Sequence, residues 1–237
     1  MKCFGETIKN LRNRLTAMPG DKHLEPPAWL YARLARGSLL RLIYRRFIGD
    51  LAGSLPPGTR LLDVGTGPGY LLGYLARDRP DLSLWGLDFS HDMIRRARQR
   101  AMAPQAAPRW LVADACRLPF PSGVFEHVVA TFSFHIWPCP VAGLQELGRV
   151  LAPGGRAWVY ELRREASRRD LRAFARETGL PYPFVYLGYH TVRWHHALPE
   201  REFGHLLRQA AGSCTDETYE TLRPVHHIFW RAELQRA

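Results

Sequence analysis

The sequence predicts an α/β fold: a Rossmann-like, doubly wound sheet of seven strands, mostly parallel, with a C-terminal antiparallel hairpin and helical lid segments. Two observations support this prediction. Short apolar runs alternate with amphipathic segments through the middle of the chain, as in a parallel sheet covered by helices. One apolar run also leads directly into a glycine-rich turn at residues 65–69, which favours a ligand crevice at a strand end.

The individual elements follow from apolar periodicity and turn residues. Five parallel strands are expected near residues 60–64, 83–87, 109–113, 125–131 and 156–161. Four helices are expected near residues 69–78, 90–102, 139–151 and 199–211. Ser90 is the predicted N-cap of the second helix. Strands near 215–222 and 225–233 are expected to pair antiparallel across a proline-containing connection.

Two segments lie outside this core. Residues 1–57 are predicted to form a basic N-terminal helical lid, and residues 162–198 an aromatic insert within a domain that spans 58–237. Because ligands bind beyond the carboxyl ends of parallel strands, both segments are expected to cover the site. The alternative, that they only add packing, stays open.

Composition limits the classes of protein that fit. The chain has 237 residues, 46% hydrophobic and 23% charged, as expected of a folded globular protein. Four cysteines without a C-x-x-C pair favour a reducing, cytoplasmic setting over a disulfide framework. Prolines interrupt the long uncharged stretch at 127–144, so we expect no transmembrane segment. Residues 1–60 carry a net charge of +7, which suits either an anionic partner such as a phosphate, nucleic acid or membrane surface, or a solvated helix face.

Polar residues stand at the predicted strand ends. Asp63 precedes the glycine turn, Asp88 ends the second strand and Asp114 follows the third. A carboxylate in the position of Asp88 can accept hydrogen bonds from both hydroxyls of a ribose. The turn has the spacing G-x-G-x-G, whereas a dinucleotide site would need glycine where Tyr70 stands. This favours a ligand without a pyrophosphate, although a nicotinamide-dependent dehydrogenase remains an alternative.

From about residue 58 to 161 the chain resembles the class I S-adenosylmethionine-dependent methyltransferases, small-molecule branch, which includes the ubiquinone/menaquinone C-methyltransferases. The segments LLDVGTGPG, GLDFS, VADACRLPFPSGVFEHVV and RVLAPGGR carry the resemblance in that order. It implies S-adenosylmethionine as cofactor and S-adenosylhomocysteine as product. The implied contacts are the methionyl end with Asp63, Gly65, Thr66, Gly67 and Gly69, the ribose with Asp88, the adenine with Phe89, Asp114 and Ala115, and the amino group with the Thr131 carbonyl.

The resemblance implies in-line methyl transfer to a small-molecule acceptor, and the aromatic insert at 162–198 predicts an aromatic or apolar pocket for that acceptor. Such a site mainly positions the nucleophile and excludes water. His135 and Tyr160 are the candidate catalytic residues; members of the family often have a histidine pair where this chain has His135-Ile136. A purely structural role for either residue stays open.

Other chemistries are less favoured. No metal is expected, because His195-His196 and His226-His227 lack a carboxylate at ligand spacing, and adjacent histidines on a strand point to opposite faces. The arginine-rich N-terminal segment keeps an RNA methyltransferase open as the alternative. Cys139, between two prolines, is similar to the nucleophile of cytosine-C5 methyltransferases but comes several residues too late. A non-catalytic ligand-binding module also remains possible.

Overall fold

The computed structural model describes residues 38–100, 107–211 and 217–236. The chain divides into two compact units, Met1–Ile43 and Tyr44–Ala237. Most of the segment predicted as an N-terminal lid therefore lies outside the described residues. Its described part contains helix α1, Ser38–Ala52.

One eight-stranded sheet organises the second unit. Its strands are β1 (Arg60–Val64), β2 (Ser83–Asp88), β3 (Arg109–Val112), β4 (Phe125–Thr131), β5 (Leu151–Arg163), β6 (Ala197–Leu198), β7 (Glu217–Val225) and β8 (Phe229–Arg236). The strand order is β3-β2-β1-β4-β5-β8-β7, with β6 paired to β5. Strands β1 to β6 pair in parallel, and β8 is antiparallel to both of its neighbours.

Within the described residues, six further α-helices connect the strands. They are α2 (Tyr70–Asp78), α3 (His91–Arg100), α4 (Pro140–Val150), α5 (Arg168–Thr178), α6 (Tyr182–His196) and α7 (Glu200–Ala211). A 3-10 turn, Phe134–Ile136, follows β4. None of the helices in the described part is long and apolar enough to cross a membrane.

Most predicted elements are confirmed to within two residues, including β1 and β4 at their predicted bounds. Ser90 accepts a hydrogen bond from the Met93 N–H at 3.4 Å, in agreement with the predicted N-cap. Strand β5 begins five residues earlier than predicted, because Leu151 already pairs with Phe125 before a register shift. The sheet has eight strands rather than seven, because Ala197 and Leu198 pair with the end of β5.

The C-terminal hairpin is present but displaced. Residues 222–225, predicted as its connection, belong to strand β7, and the turn follows at 226–228. Pro224 is tolerated in β7 because this is an edge strand. His226 and His227 have φ angles of 45° and 67° in the turn, and His196 ends helix α6. The expectation that His226 and His227 lie on a strand is therefore wrong.

The insert at 162–198 folds largely as the helices α5 and α6. A capping box starts α5, in which Ser167 and Asp170 exchange hydrogen bonds, and Gly179 ends it with a φ of 70°. Tyr189 anchors α6 because its buried hydroxyl contacts the backbone of Arg163, Arg164 and Ala166 at 2.7–3.1 Å.

The core follows from the apolar pattern of the central strands. Val128, Val129 and Ala130 of β4 are fully buried, since helices cover both faces of a parallel sheet. Leu71, Leu72, Leu75 and Ala76 form the buried stripe of α2. Burial of each leucine contributes about 1.5–3 kcal/mol and fixes α2 at the end of β1, where the glycine turn lies.

Candidate active site

The glycine turn is tied to the neighbouring strand by backbone hydrogen bonds. The N–H groups of Gly65 and Thr66 both donate to the Leu87 carbonyl at 2.9 Å. The Gly67 N–H donates to Asp88 Oδ2 at 2.9 Å. The predicted turn residues therefore meet the predicted end of β2.

The glycines are needed for backbone conformation and for close packing. Gly65, Gly67 and Gly69 have φ angles of 73°, 55° and 74°, which favour glycine. A Cβ at Gly65 would lie 2.3 Å from Ser133 Cβ, and one at Gly69 would lie 2.5 Å from the Trp110 ring. A Cβ at Gly67 would have no atom of the described residues within 4 Å apart from its chain neighbours, so the turn is open to a ligand there.

Replacing Gly65 by alanine is expected to destabilise the fold by about 2–5 kcal/mol, because left-handed strain adds to overpacking against Ser133. The matched control is Gly73→Ala in α2, where a Cβ meets nothing within 4 Å and helix propensity improves. Urea unfolding measures both variants. Equal stability of Gly65→Ala and the unmodified chain would contradict the packing described here.

Asp63 places a buried carboxyl beneath the turn. Thr66 Oγ1 donates to its Oδ2 at 2.7 Å, whereas its Oδ1 is buried and has no hydrogen-bond partner among the described residues. Burial raises the pKa of Asp63 to about 7; the Thr66 hydrogen bond opposes this, and the charge of Asp88 adds to it. An unpartnered carboxylate oxygen beside an open glycine turn suits a ligand with an amino group or another cation.

Affinity for a cationic ligand is expected to fall as the pH drops below about 7, since protonation neutralises Asp63. The slope approaches tenfold per pH unit if one proton is linked to binding. Calorimetric titration of the protein with S-adenosylhomocysteine, repeated between about pH 6 and pH 8, measures this change of affinity with pH. Asp63→Asn should remove the dependence, and an affinity of the unmodified protein that is constant across this range would contradict the assignment.

Asp88 is held firmly at the end of β2. Its Oδ1 accepts the Ser90 N–H at 2.9 Å and its Oδ2 accepts the Gly67 N–H, and only 7% of the residue is exposed. Each oxygen retains acceptor capacity for a further hydrogen bond. Phe89, predicted to flank an adenine, is 71% exposed and available for stacking.

The remaining predicted binding residues lie at the next strand ends. Asp114 is exposed after β3 and accepts the Cys116 N–H at 2.9 Å, and Ala115 is buried beside it. Thr131 is buried at the end of β4. Since β3, β2, β1 and β4 are consecutive parallel neighbours, their ends form one edge. The role of each residue in binding stays a prediction.

His135 has two partners that sequence reasoning did not give it. Its Nδ1 lies 3.0 Å from Glu161 Oε2, and its backbone N–H donates to Glu161 Oε1 at 3.2 Å. Its Nε2 lies 3.0 Å from Nδ1 of His196. Glu161 is fully buried and His196 is exposed, so the three groups form a chain from the interior to the surface. In the described residues, no three His, Cys, Asp or Glu side chains are arranged to hold a metal ion.

Tyr160 lies in a different environment from His135. It is fully buried, stacks on Phe47 at 4.1 Å and donates its hydroxyl to Asp50 Oδ2 at 3.2 Å. Burial raises its pKa and Asp50 adds to the effect, which disfavours ionisation. His226 Nε2 contacts the same oxygen of Asp50 at 3.0 Å. This geometry gives Tyr160 a packing role, and its predicted catalytic role stays a prediction.

Aromatic rings gather beside the ends of β4 and β5. Phe132 follows β4 with a φ of 54°, a strained conformation for this residue. Its ring centroid lies 5.5 Å from Phe47, 5.4 Å from Phe229 and 6.5 Å from Tyr44. This aromatic cluster comes from α1 and the strand ends, whereas the sequence pointed to the insert. Cys139 is exposed at the N-cap of α4.

Comparison with known proteins identifies the domain. Residues 61–155 match the family described as "Methyltransferase domain". Residues 61–155 are therefore those of a methyltransferase domain. The family depends on S-adenosylmethionine, which agrees with the open turn and the unpartnered carboxylate oxygen of Asp63.

The curated relatives include a demethylmenaquinone methyltransferase of Thermus thermophilus. It is 42% identical over 128 residues, which cover 54% of this chain and 57% of that protein. A ubiquinone/menaquinone biosynthesis C-methyltransferase of Cereibacter sphaeroides is 37% identical over 107 residues, 44% of this chain and 43% of that protein. The chain thus spans about half the length of these relatives.

Solved structures share the fold over most of the chain. A SAM-dependent methyltransferase from Aquifex aeolicus has a TM-score of 0.64 at 20% identity, covering 87% of this chain and 96% of that chain. The plantazolicin methyltransferase BpumL in complex with SAH has a TM-score of 0.63 at 16% identity, covering 98% of each chain. At these identities the likeness concerns the fold.

Proposed function

We propose that the protein transfers a methyl group from S-adenosylmethionine to a small aromatic acceptor that carries an ionisable hydroxyl, of the quinol type. The observation that carries this proposal is the contact of His135 with the buried carboxylate of Glu161, beside the strand ends that bear the donor-site residues. The names of the relatives, which refer to quinone-related methylation, support the acceptor class.

The donor supplies a methyl group already activated on a positively charged sulfur. The chain's own task is then to bind and orient. Asp88 is placed to accept the ribose hydroxyls, and Asp63 to attract the amino group above the turn. An ordered, largely buried pair of carboxylates fixes the donor in one orientation, as an in-line displacement requires.

The acceptor side requires a proton acceptor. The nucleophile of a quinol becomes reactive when its hydroxyl loses a proton, so a positioned base accelerates the step. Glu161 Oε2 lies 3.0 Å from Nδ1 of His135, and this contact orients the imidazole ring. The His135–His196 pair would accept the proton that the acceptor hydroxyl releases, and the bound donor would supply the methyl group.

The aromatic cluster beside the end of β4 supports the proposal that the acceptor is aromatic. The Phe132 ring is partly buried and adjoins the buried rings of Phe47 and Phe229, next to the end of β4. The Phe132 ring is the partly exposed member of the cluster, and its free surface can contact an aromatic ligand in an offset or edge arrangement.

A mass-spectrometric acceptor screen tests the proposal. The purified protein and S-adenosylmethionine are incubated separately with reduced naphthoquinols, phenols, amines, thiols and short RNA. We expect methylated product from a hydroxylated aromatic compound. Methylation of RNA alone, with affinity that declines steeply as salt is added, would overturn the proposal in favour of the RNA alternative.

A further inference from the structure

Helix α6 carries an exposed apolar ridge. Its inner side buries Val185 and Tyr189, and its residues advance by about 100° each. Phe184 and Leu187, one turn apart on the outer side, are 74% and 64% exposed. Pro183 is exposed beside them. Two large apolar side chains on one helix face form a patch rather than scattered contacts.

A basic stripe on α5 borders this ridge. Arg168, Arg172 and Arg176 are all exposed and recur every four residues, so they share one face of the helix. The Arg172 guanidinium lies 5.4 Å from the ring centroid of Tyr182, at the start of α6. The pKa of His190 is lowered by burial and then by the charges of Arg193 and Arg168, which places these arginines near the middle of α6.

The acidic residues of α5 leave this stripe uncompensated. Asp170 is occupied in the capping box with Ser167. Glu177 binds Arg46 and His227, the latter at 3.2 Å. The exposed surface along the two helices therefore combines apolar side chains with net positive charge.

We propose that this α5–α6 face, formed by Pro183, Phe184, Leu187, Arg168, Arg172 and Arg176, docks on the surface of an anionic lipid bilayer. The ridge enters the boundary between headgroups and acyl chains, and the arginines contact lipid phosphates. Charge complementarity favours an anionic partner. Phe184 is the one aromatic ring among the three apolar residues of this face, so successive bases would find no row of rings to stack on, which favours lipid over nucleic acid.

The docking face connects to the candidate site through α6. His196, the last residue of this helix, lies 3.0 Å from His135. One helix thus joins the docking face to the candidate site. The inference goes beyond the proposed function, because binding to a bilayer requires neither acceptor nor methyl transfer.

Co-sedimentation of the full chain with vesicles tests the proposal. The vesicles contain either phosphatidylcholine alone or phosphatidylcholine with one third phosphatidylglycerol. We expect binding chiefly to the anionic vesicles. Phe184→Ser with Leu187→Ser should reduce the partition coefficient by about tenfold or more. Arg172→Glu with Arg176→Glu should reduce it by at least about fivefold per arginine.

Arg201→Glu with Arg208→Glu is the matched control, since it makes the same charge change on exposed arginines of α7. It should lower the partition coefficient far less. Binding of S-adenosylhomocysteine reports that each variant is folded. The proposal would be overturned if the two arginine variants lost the same fraction of the partition coefficient. It would also be overturned if the protein without Phe184 and Leu187 bound vesicles as well as the unmodified chain.

Two other occupants are decided by further measurements. Light scattering tests whether a second copy of the chain covers this face. If the unmodified protein is a dimer, and Phe184→Ser with Leu187→Ser makes it a monomer without changing vesicle binding, the proposal is overturned. RNA binding that depends on Arg172 and Arg176, with no vesicle binding, would also overturn the proposal. Vesicle binding without methyl transfer to any acceptor would leave this inference standing and remove the proposed function.

Discussion

Asp88→Ala is expected to weaken binding of S-adenosylhomocysteine by more than about 100-fold. Two hydrogen bonds to ribose hydroxyls are lost, each worth about 1.5–3 kcal/mol when the acceptor is charged. The turn is also loosened, because Asp88 is the acceptor for the N–H groups of Gly67 and Ser90 at 2.9 Å. Isothermal titration calorimetry measures the change.

Asp92→Ala is the matched control for Asp88→Ala. Asp92 lies four residues further along, in α3, and forms surface ion pairs with Arg95 and Arg96. Exposed pairs of this kind contribute little to stability, so affinity should change less than about threefold. Similar affinities for the Asp88 and Asp92 variants would show that the ligand is held elsewhere.

Removal of the His135–Glu161 pair is expected to lower kcat by about 10²–10⁴, the range for loss of a positioned general base. His135→Ala removes the base, and Glu161→Gln removes the charge that orients it while keeping the shape of a fully buried side chain. Donor affinity should remain within about threefold, because neither residue is assigned to the donor. The measurement is methylation of a reduced naphthoquinol at saturating donor.

The pH profile separates a base from a structural residue. As the pH approaches the pKa of the acceptor hydroxyl, the acceptor arrives ionised and the loss in His135→Ala should diminish. His205→Ala, on the exposed side of α7, serves as the control and should retain full activity. The role of His135 as a base would be contradicted if His135→Ala lowered kcat by the same factor at every pH, or if it also lost donor binding.

The donor side of the site could be predicted because it depends on local backbone requirements. Gly65 and Gly67 need positive φ angles, and Asp63 and Asp88 end strands whose apolar runs are visible in the sequence. Parallel pairing of β1 with β2 then brings the strand ends together without further information. These features each involve a few neighbouring residues.

The acceptor side could not be predicted in the same way. The contact between His135 and Glu161 joins residues 26 apart and depends on the register of β4 with β5, in which Thr131 pairs with Tyr160. The contact with His196 depends on the length of α6, which the aromatic content of the insert obscured. The register alone would have placed Glu161 of β5 level with Phe132, the residue that follows the end of β4.

The position of the aromatic residues was likewise set by tertiary packing. The insert was expected to supply the pocket, yet Phe184 is exposed and Tyr189 is buried against the backbone of its own segment. Phe47 and Phe132, from α1 and the end of β4, form the aromatic cluster instead. Aromatic content predicts burial of apolar area but not the partner against which it is buried.

The central claim is that the joined ends of the parallel strands bind a sulfonium nucleoside rather than a dinucleotide. Calorimetric titration of the full chain with S-adenosylmethionine, and separately with NAD, tests it most directly. We predict saturable binding of one S-adenosylmethionine per chain and no heat with NAD. Tight binding of NAD, or no heat with S-adenosylmethionine, would contradict the claim.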